Sequence, residues 1–203
     1  PLSLSSKQEI TNKLKRKGAN LSLFDVLNDF DITEILEATK VDVNQVNGNG
    51  NTPLFQACSR ENNITVVIEL LAAEDIDVNK ANKQGETPLF QACSQENNIQ
   101  VVIQLLAAEN IDVNKANTNG ETPLLQACNN NSPEIVRQLL NQQNINVNVV
   151  TNTGLSPLLH ACHQGNLECI RLLVADNTVD VNHADIQGRT ALFHGCSTRS
   201  SLY

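Results

Sequence analysis

The sequence predicts an all-α solenoid whose helix-turn-helix-hairpin unit repeats every 34 to 35 residues. The first observation is the string Thr52 to Cys58, which returns at spacings of 35, 35, 34 and 34 residues in copies that end at Cys93, Cys128, Cys162 and Cys196. The second is a Val-Asn pair that keeps the same spacings and ends at Asn44, Asn79, Asn114, Asn148 and Asn182. Two markers that share one period over five copies indicate a repeat architecture.

Each unit can be justified element by element. Thr87 followed by Pro88 suits a helix start, because Thr caps the helix and Pro lacks an N–H that would go unused there. Residues 89–93 form the predicted first helix, and residues 99–106, apolar at three- and four-residue spacing, form the second. The Asn119-Gly120 dipeptide then predicts a hairpin turn with positive φ. Helices this short cannot bury an apolar face alone, so neighbouring units must stack.

These motifs resemble the ankyrin repeat. The motifs that carry the resemblance are Thr-Pro-Leu-x-x-Ala, the second-helix segments 134–140 and 165–173, and the Val-Asn linker that leads to Gly. The resemblance covers roughly residues 20 to 198 and implies a stack of ankyrin repeats. It departs where the family usually has His, which is replaced by Phe55, Phe90, Leu125, Leu159 and Phe193. The replacement predicts extra apolar packing in place of the hydrogen bonds of that His.

The same markers set the expected domain boundaries. Residues 1–19 are predicted as an N-terminal capping helix and residues 20–198 as the ankyrin-repeat domain, with residues 199–203 as a frayed C-terminal end. Within the domain we expect a degenerate cap repeat 20–46, full repeats 47–81, 82–116, 117–150 and 151–184, and a half repeat 185–198. The half repeat would leave the apolar side of Leu192 and Phe193 open.

Charge and hydropathy exclude several classes of function. The 14 Lys and Arg against 22 Asp and Glu give a net charge of -8, which argues against a nucleic-acid partner, since phosphate binding needs clustered positive charge. The sequence contains no run of 18 apolar residues, so it predicts no membrane span. The one basic run, 13–17, fits the last turn of the capping helix, where cations suit the helix dipole. Its alternative is a nuclear-import or phospholipid-contact patch.

The positions of the cysteines and histidines indicate packing roles rather than catalytic or metal-binding ones. Five cysteines share one repeat position and Cys169 lies in a second helix, so all six are expected to be small buried residues. A repeat width separates neighbours among the five that share a position, which is too far for a disulfide, and six free thiols indicate a reducing compartment, the cytoplasm. His160, Cys162 and His163 lack the converging ligands of a metal site, and His194 with Cys196 lacks an orienting third group. We therefore expect no catalytic residue, no metal and no cofactor.

The resemblance implies a non-catalytic protein-interaction module, because ankyrin arrays bind other proteins through a concave face lined by hairpin tips and first helices. Leu155 and Ile186 are the sharpest candidates on this face, because an apolar residue at an exposed tip is not needed for the fold. The full candidate set is Asn49, Asn51, Arg60, Lys83, Gln84, Glu86, Gln95, Thr118, Asn119, Glu121, Asn130, Asn152, Leu155, His163, Ile186 and Arg189. The partner is expected to be another protein, bound by a monomer.

Two further expectations follow from the resemblance. Asn44, Asn79 and Asn114 each lie eight residues after a Leu, a spacing similar to the sites of the asparaginyl hydroxylase that modifies ankyrin repeats. They are therefore candidates for hydroxylation, although the main role that the resemblance implies for them is to bridge hairpin backbone groups. The near-identical repeats 47–81 and 82–116 and the Asn-rich composition are typical of a bacterial effector in the host cytosol or of a lower eukaryote.

An alternative function stays open. The chain would then be the substrate-docking part of a larger enzyme or effector whose catalytic domain lies outside these residues. The unfinished sixth repeat favours that reading.

Overall fold

A computed structural model of the chain describes residue 24, residues 42–60 and residues 63–197. The predicted capping helix, most of the cap repeat and the C-terminal end lie outside the described residues. The first helices of the repeats are α1 Pro53–Cys58, α3 Pro88–Cys93, α5 Pro123–Asn129, α7 Pro157–Gln164 and α9 Ala191–Ser197. The second helices are α2 Ile64–Leu71, α4 Ile99–Leu106, α6 Pro133–Leu140 and α8 Leu167–Val174. The described residues contain no named strand and form a helical repeat solenoid, as predicted.

The first helices begin where the Thr-Pro and Ser-Pro pairs predict. The hydroxyl of Thr52 accepts a hydrogen bond from the Phe55 amide at 3.1 Å, and Thr87 does the same for Phe90. Pro then occupies the first turn of each of these helices. The caps recur at Thr122 and Ser156. Each cap satisfies an amide that the first turn of a helix cannot pair internally.

The core is a continuous ladder of equivalent side chains. Leu89, Phe90 and Cys93 of α3 are at most 4% exposed, and their counterparts in α1, α5 and α7 are buried as well. The first helices α1, α3, α5 and α7 each pack on the second helix of their own repeat and on the next first helix along the array. The residues that replace the family His are therefore core residues in the first four copies, as the sequence predicts.

The fifth copy differs from the other four. Leu192 is 78% exposed and Phe193 is 54% exposed, so the apolar side that they form is open, as the sequence predicts. Cys196 is also exposed, so the prediction that all six cysteines are buried is wrong at this position. The reason is that no second helix packs on α9 within the described residues.

The thiols carry no disulfide among the described residues. Cys58 and Cys93 are fully buried, and this burial raises the pKa of both thiols well above the ordinary value. A thiol with a raised pKa holds little thiolate and is a poor nucleophile. These cysteines therefore act as packing residues.

Candidate protein-binding face

Five hairpin tips project from the array, at residues 47–51, 82–86, 117–121, 151–155 and 185–189. In the second tip the Asn82 amide donates to the Glu86 carbonyl at 2.9 Å, and the Gly85 amide donates to the Asn82 carbonyl at 3.0 Å. The Asn82 Oδ1 accepts from the amides of Gln84 and Glu86 at 2.9 and 3.0 Å. The same four bonds close the tips that begin at Asn47, Asn117, Thr151 and Asp185. The five tips therefore share one backbone geometry.

Neighbouring tips are joined by backbone hydrogen bonds. The Lys83 amide donates to the Asn49 carbonyl at 3.1 Å, and the Thr118 amide donates to the Gln84 carbonyl at 2.9 Å. A third bond joins the Asn152 amide to the Asn119 carbonyl at 2.9 Å. The first four tips therefore form a stacked edge in which the points where the side chains leave the backbone have fixed relative positions.

The candidate residues divide into two groups by exposure. The exposed group is Asn49, Lys83, Gln84, Thr118, Asn119, Asn152, His163 and Ile186. The half-buried group is Asn51, Arg60, Glu86, Gln95, Glu121, Asn130, Leu155 and Arg189. Ile186 is 70% exposed, as predicted for an apolar tip residue. Leu155 is half-buried, as is the last residue of each of the four other tips.

Three charged candidates are held by the first residue of their own tip. Asn82 Nδ2 donates to the Glu86 carboxylate at 2.8 Å, and the same bond joins Asn117 to Glu121 at 2.7 Å. In the last tip the Arg189 Nε donates to Asp185 at 2.7 Å. These bonds fix the direction of each charge before any partner binds, which lowers the entropy cost of using it.

Asn130 has a role that the sequence reading missed. Its Nδ2 donates to the Cys93 carbonyl of the preceding repeat at 3.2 Å. Asn98 and Asn166 make the equivalent bonds to Cys58 and Cys128 at 2.8 and 2.6 Å. The recurrence of Asn within the three residues before each second helix is the signal that could have revealed this ladder.

The Val-Asn asparagines bridge repeats, although their partners differ from those expected. Asn79 Nδ2 donates to the Asn110 carbonyl at 2.7 Å, and its Oδ1 accepts from the Asp112 amide at 2.9 Å. Both partners lie in the loop after the second helix of the next repeat, not in a hairpin tip. Asn44, Asn114 and Asn148 make the same pair of bonds.

The histidines at the end of α7 belong to a polar cluster on this face. His160 Nε2 lies 2.9 Å from the Asn129 Oδ1. Burial lowers the pKa of His160, and the nearby His163 lowers it further. A histidine with a lowered pKa is neutral at pH 7, so it serves here as a hydrogen-bonding group. No group of three metal-ligating side chains gathers in the part of the chain that the structure describes.

The arrangement provides groups of the kind that recognise proteins. Its exposed amides and two oriented carboxylates can form hydrogen bonds with a protein, and its exposed isoleucine, Ile186, can pack against an apolar group. None of the described helices is long and apolar enough to cross a membrane.

Comparisons with known proteins agree with this architecture. The family profile described as "Ankyrin repeats (3 copies)" matches residues 23–117, 67–151, 96–185 and 124–202. The crystal structure of EF0377, an ankyrin repeat protein, is 26% identical with a TM-score of 0.78, over 88% of this chain and 92% of that one. No curated protein gives a significant sequence match.

Ankyrin repeats are generally protein-protein interaction modules and are typically not enzymes. On the repeat profile, the stacked tips and the helix pairs together, the chain belongs to the ankyrin-repeat family.

Proposed function

We propose that the array is a non-catalytic module that binds a partner protein through its tip face, which is the surface formed by the five hairpin tips and the C-terminal ends of the first helices. The observation that carries the proposal is the stacking of tips in one shared geometry. Shared geometry turns residues from separate repeats into one continuous surface. A rigid surface of this kind binds with little loss of conformational entropy.

The experiment is affinity capture from a cell lysate with two matched variants. The tip variant changes Lys83, Asn119, Glu121 and Ile186 to Ala. The control variant changes four exposed residues of second helices to Ala: Thr65, Gln100, Glu168 and Arg171. Each variant removes one acid and one base, so the net charge does not change.

We expect the control variant to retain the captured protein and the tip variant to lose it, while both melt like the parent. The few residues that dominate an interface cost about 2 kcal/mol or more each when truncated, so four changes that include one or two of them should abolish capture. A tip variant that captures the same proteins as the parent would show that binding takes place elsewhere.

The candidates for hydroxylation remain a second proposal. Asn79 uses both ends of its amide in bonds to the next repeat, so an enzyme that hydroxylates it must first open the loop. We therefore propose that Asn44, Asn79 and Asn114 are modified only when the array opens locally. Exposure to an asparaginyl hydroxylase, followed by peptide mass spectrometry, should show the gain of one oxygen atom more readily in a destabilised variant such as Leu89→Ala. Equal modification in both proteins would contradict the opening step.

The buried thiols support a reducing compartment, which we propose to be the cytoplasm. Four of the five cysteines that share one repeat position are buried and unpaired, as is Cys169. Free thiols of this kind persist where glutathione and thioredoxin keep the environment reduced.

A further inference from the structure

We propose that the tip face binds an extended peptide segment that presents two basic side chains, then an apolar one, then an acidic one, at every third position. The inference rests on the proposed function, because it names the partner of that same face. The recognising surface is the tip strip, which we define as the last residue of each tip: Asn51, Glu86, Glu121, Leu155 and Arg189. Read along the array, the strip is amide, carboxylate, carboxylate, alkyl and guanidinium.

The strip follows from the shared backbone geometry of the tips. Each strip residue offers its carbonyl to the amide of the first residue of its tip, as Glu86 does to Asn82 at 2.9 Å. Its own amide donates to the side chain of that first residue, as in the 3.0 Å bond from Glu86 to Asn82. Because all five repeat these bonds, their side chains leave the backbone in equivalent directions, and only their chemistry differs from tip to tip.

The two carboxylates are prepared for a cation. Glu86 and Glu121 are half-buried, and one oxygen of each accepts from an Asn Nδ2 at 2.8 and 2.7 Å. That bond orients the carboxylate and leaves its other lone pairs for a partner. Neither carboxylate has a salt bridge to a base among the described residues. A Lys or Arg on the ligand is therefore the complementary group.

The other end of the strip has the opposite character. Leu155 is half-buried and presents an alkyl group. The Arg189 guanidinium donates through Nε to Asp185 at 2.7 Å and through Nη2 to Gln187, which leaves its Nη1 for an acidic side chain of the ligand. Since like charges placed opposite each other suppress a wrong register, the ordered change from acid to base along the strip selects one alignment of the ligand.

The spacing selects an extended ligand. Packed helices lie about 8–10 Å apart, so neighbouring strip residues are separated by about that distance. An extended chain rises about 3.3 Å per residue, so every third side chain meets the next strip position. A helical ligand rises only about 1.5 Å per residue and would not match the step with that periodicity.

The test uses labelled synthetic peptides and the full 203-residue chain. Two probes carry Lys, Lys, Leu and Glu at every third position, separated by Ser pairs, one in each chain direction. A third probe has the same composition with the four residues permuted to Lys, Glu, Leu, Lys. Fluorescence anisotropy gives the dissociation constants. We expect one of the two ordered probes to bind at least about tenfold more tightly than the permuted probe, the gain that two ion pairs of ordinary strength supply.

Variants locate the effect on the strip. The double change Glu86→Gln and Glu121→Gln keeps the Asn hydrogen bonds and should remove most of the tenfold preference. The matched control, Glu74→Gln with Glu109→Gln, removes two exposed loop carboxylates and should leave the preference intact. The reversed pair Glu86→Lys and Glu121→Lys should prefer a probe in which Glu replaces both Lys residues.

Two outcomes would overturn the proposal: ordered probes that bind no better than the permuted one, or a control double variant that loses as much as the strip variant. Either outcome leaves the capture experiment above untouched, so the tip face could still bind a partner of different chemistry. If the tip variant captured the same proteins as the parent, in contrast, the tip face would not be the binding surface at all.

Discussion

Asn79 joins two repeats through both ends of its amide, to the Asn110 carbonyl at 2.7 Å and the Asp112 amide at 2.9 Å. Asn79→Ala would leave both backbone groups without this partner in a loop that water reaches. We expect the free energy of unfolding to fall by about 1–2 kcal/mol, since each net hydrogen bond contributes about 0.5–1.5 kcal/mol. Urea denaturation followed by circular dichroism measures the change.

The matched control for this prediction is Asn119→Ala, at an exposed tip position. Surface changes of this kind usually alter stability by about 0.5 kcal/mol or less. If both variants lost the same stability, the bridging bonds of Asn79 would not be the cause.

The buried carboxylate of Asp185 should make residues 185–197 sensitive to acid. Its side chain is 1% exposed, and burial alone would raise its pKa, but hydrogen bonds from Arg189, His194 and the Gln187 amide hold the pKa well below the usual range. Because the folded pKa lies below the unfolded value of about 3.9, the ionised carboxylate stabilises this region at higher pH. That stabilisation is lost as the pH falls below about 4 towards the folded pKa.

Amide hydrogen exchange of residues 185–197 at a series of pH values, corrected for the intrinsic rate, measures this loss. We expect protection to fall in the acid range in the parent protein. Asp185→Asn should be less protected at neutral pH and should show a smaller further loss on acidification. A parent protein whose protection did not change between neutral pH and about pH 3 would contradict the assignment.

At the scale of the element, a hairpin tip needs glycine both for its positive φ and for its close approach to the next tip. A glycine that ends a helix needs only the positive φ, so it serves as the comparison. Gly85 has a φ of +78°, and a Cβ there would lie 2.9 Å from the Thr118 amide nitrogen of the next tip. Gly165 ends α7 with a φ of +75° and has no atom within 4 Å of such a Cβ. The pair therefore separates backbone strain from the close approach between tips.

We expect Gly165→Ala to cost about 1–2 kcal/mol of unfolding free energy, the ordinary cost of the left-handed conformation. Gly85→Ala should cost about 1–3 kcal/mol more, because the stacked tips must also move apart. Urea denaturation of both variants gives the difference. Equal costs would mean that the tips separate freely and do not form a rigid edge.

The elements themselves could be predicted from local sequence. The second helix was expected at residues 99–106, and α4 has these bounds, because apolar periodicity and the flanking polar residues both act within one unit. The partial burial of Leu155 and the bond of Asn98 could not be predicted in this way. Both depend on groups brought together by the closing of a tip or by the neighbouring repeat, and neither has a signal within its own segment.

For the whole molecule, the period alone was enough to predict the solenoid, since units that cannot bury their own apolar faces must stack. The candidate face could be predicted only as a set of positions. Which of those positions carry oriented charge depends on pairs such as Asn82 with Glu86, whose side chains meet only when the tip is closed. The pattern of oriented charge on this face is consequently a property of the assembled array.

Stability should also vary along the array, because each repeat is held mainly by its neighbours. Leu89 and Leu192 occupy the same repeat position, but Leu89 is 0% exposed and Leu192 is 78% exposed. Leu89→Ala removes a side chain that repeats on both sides enclose and should lower the free energy of unfolding by about 2–5 kcal/mol. Leu192→Ala removes a side chain that is mostly in solvent and should change it by about 0.5 kcal/mol or less.

Hydrogen exchange of the same two variants locates the effect. Leu89→Ala should speed exchange in α3 and in the helices packed against it, because the loss of one interface weakens both adjoining repeats. Leu192→Ala should leave the exchange of α3 to α6 at the parent rate. If the two variants destabilised the array equally, burial at this position would not set its contribution, and stability would have to be shared over the whole chain instead of being passed between neighbouring repeats.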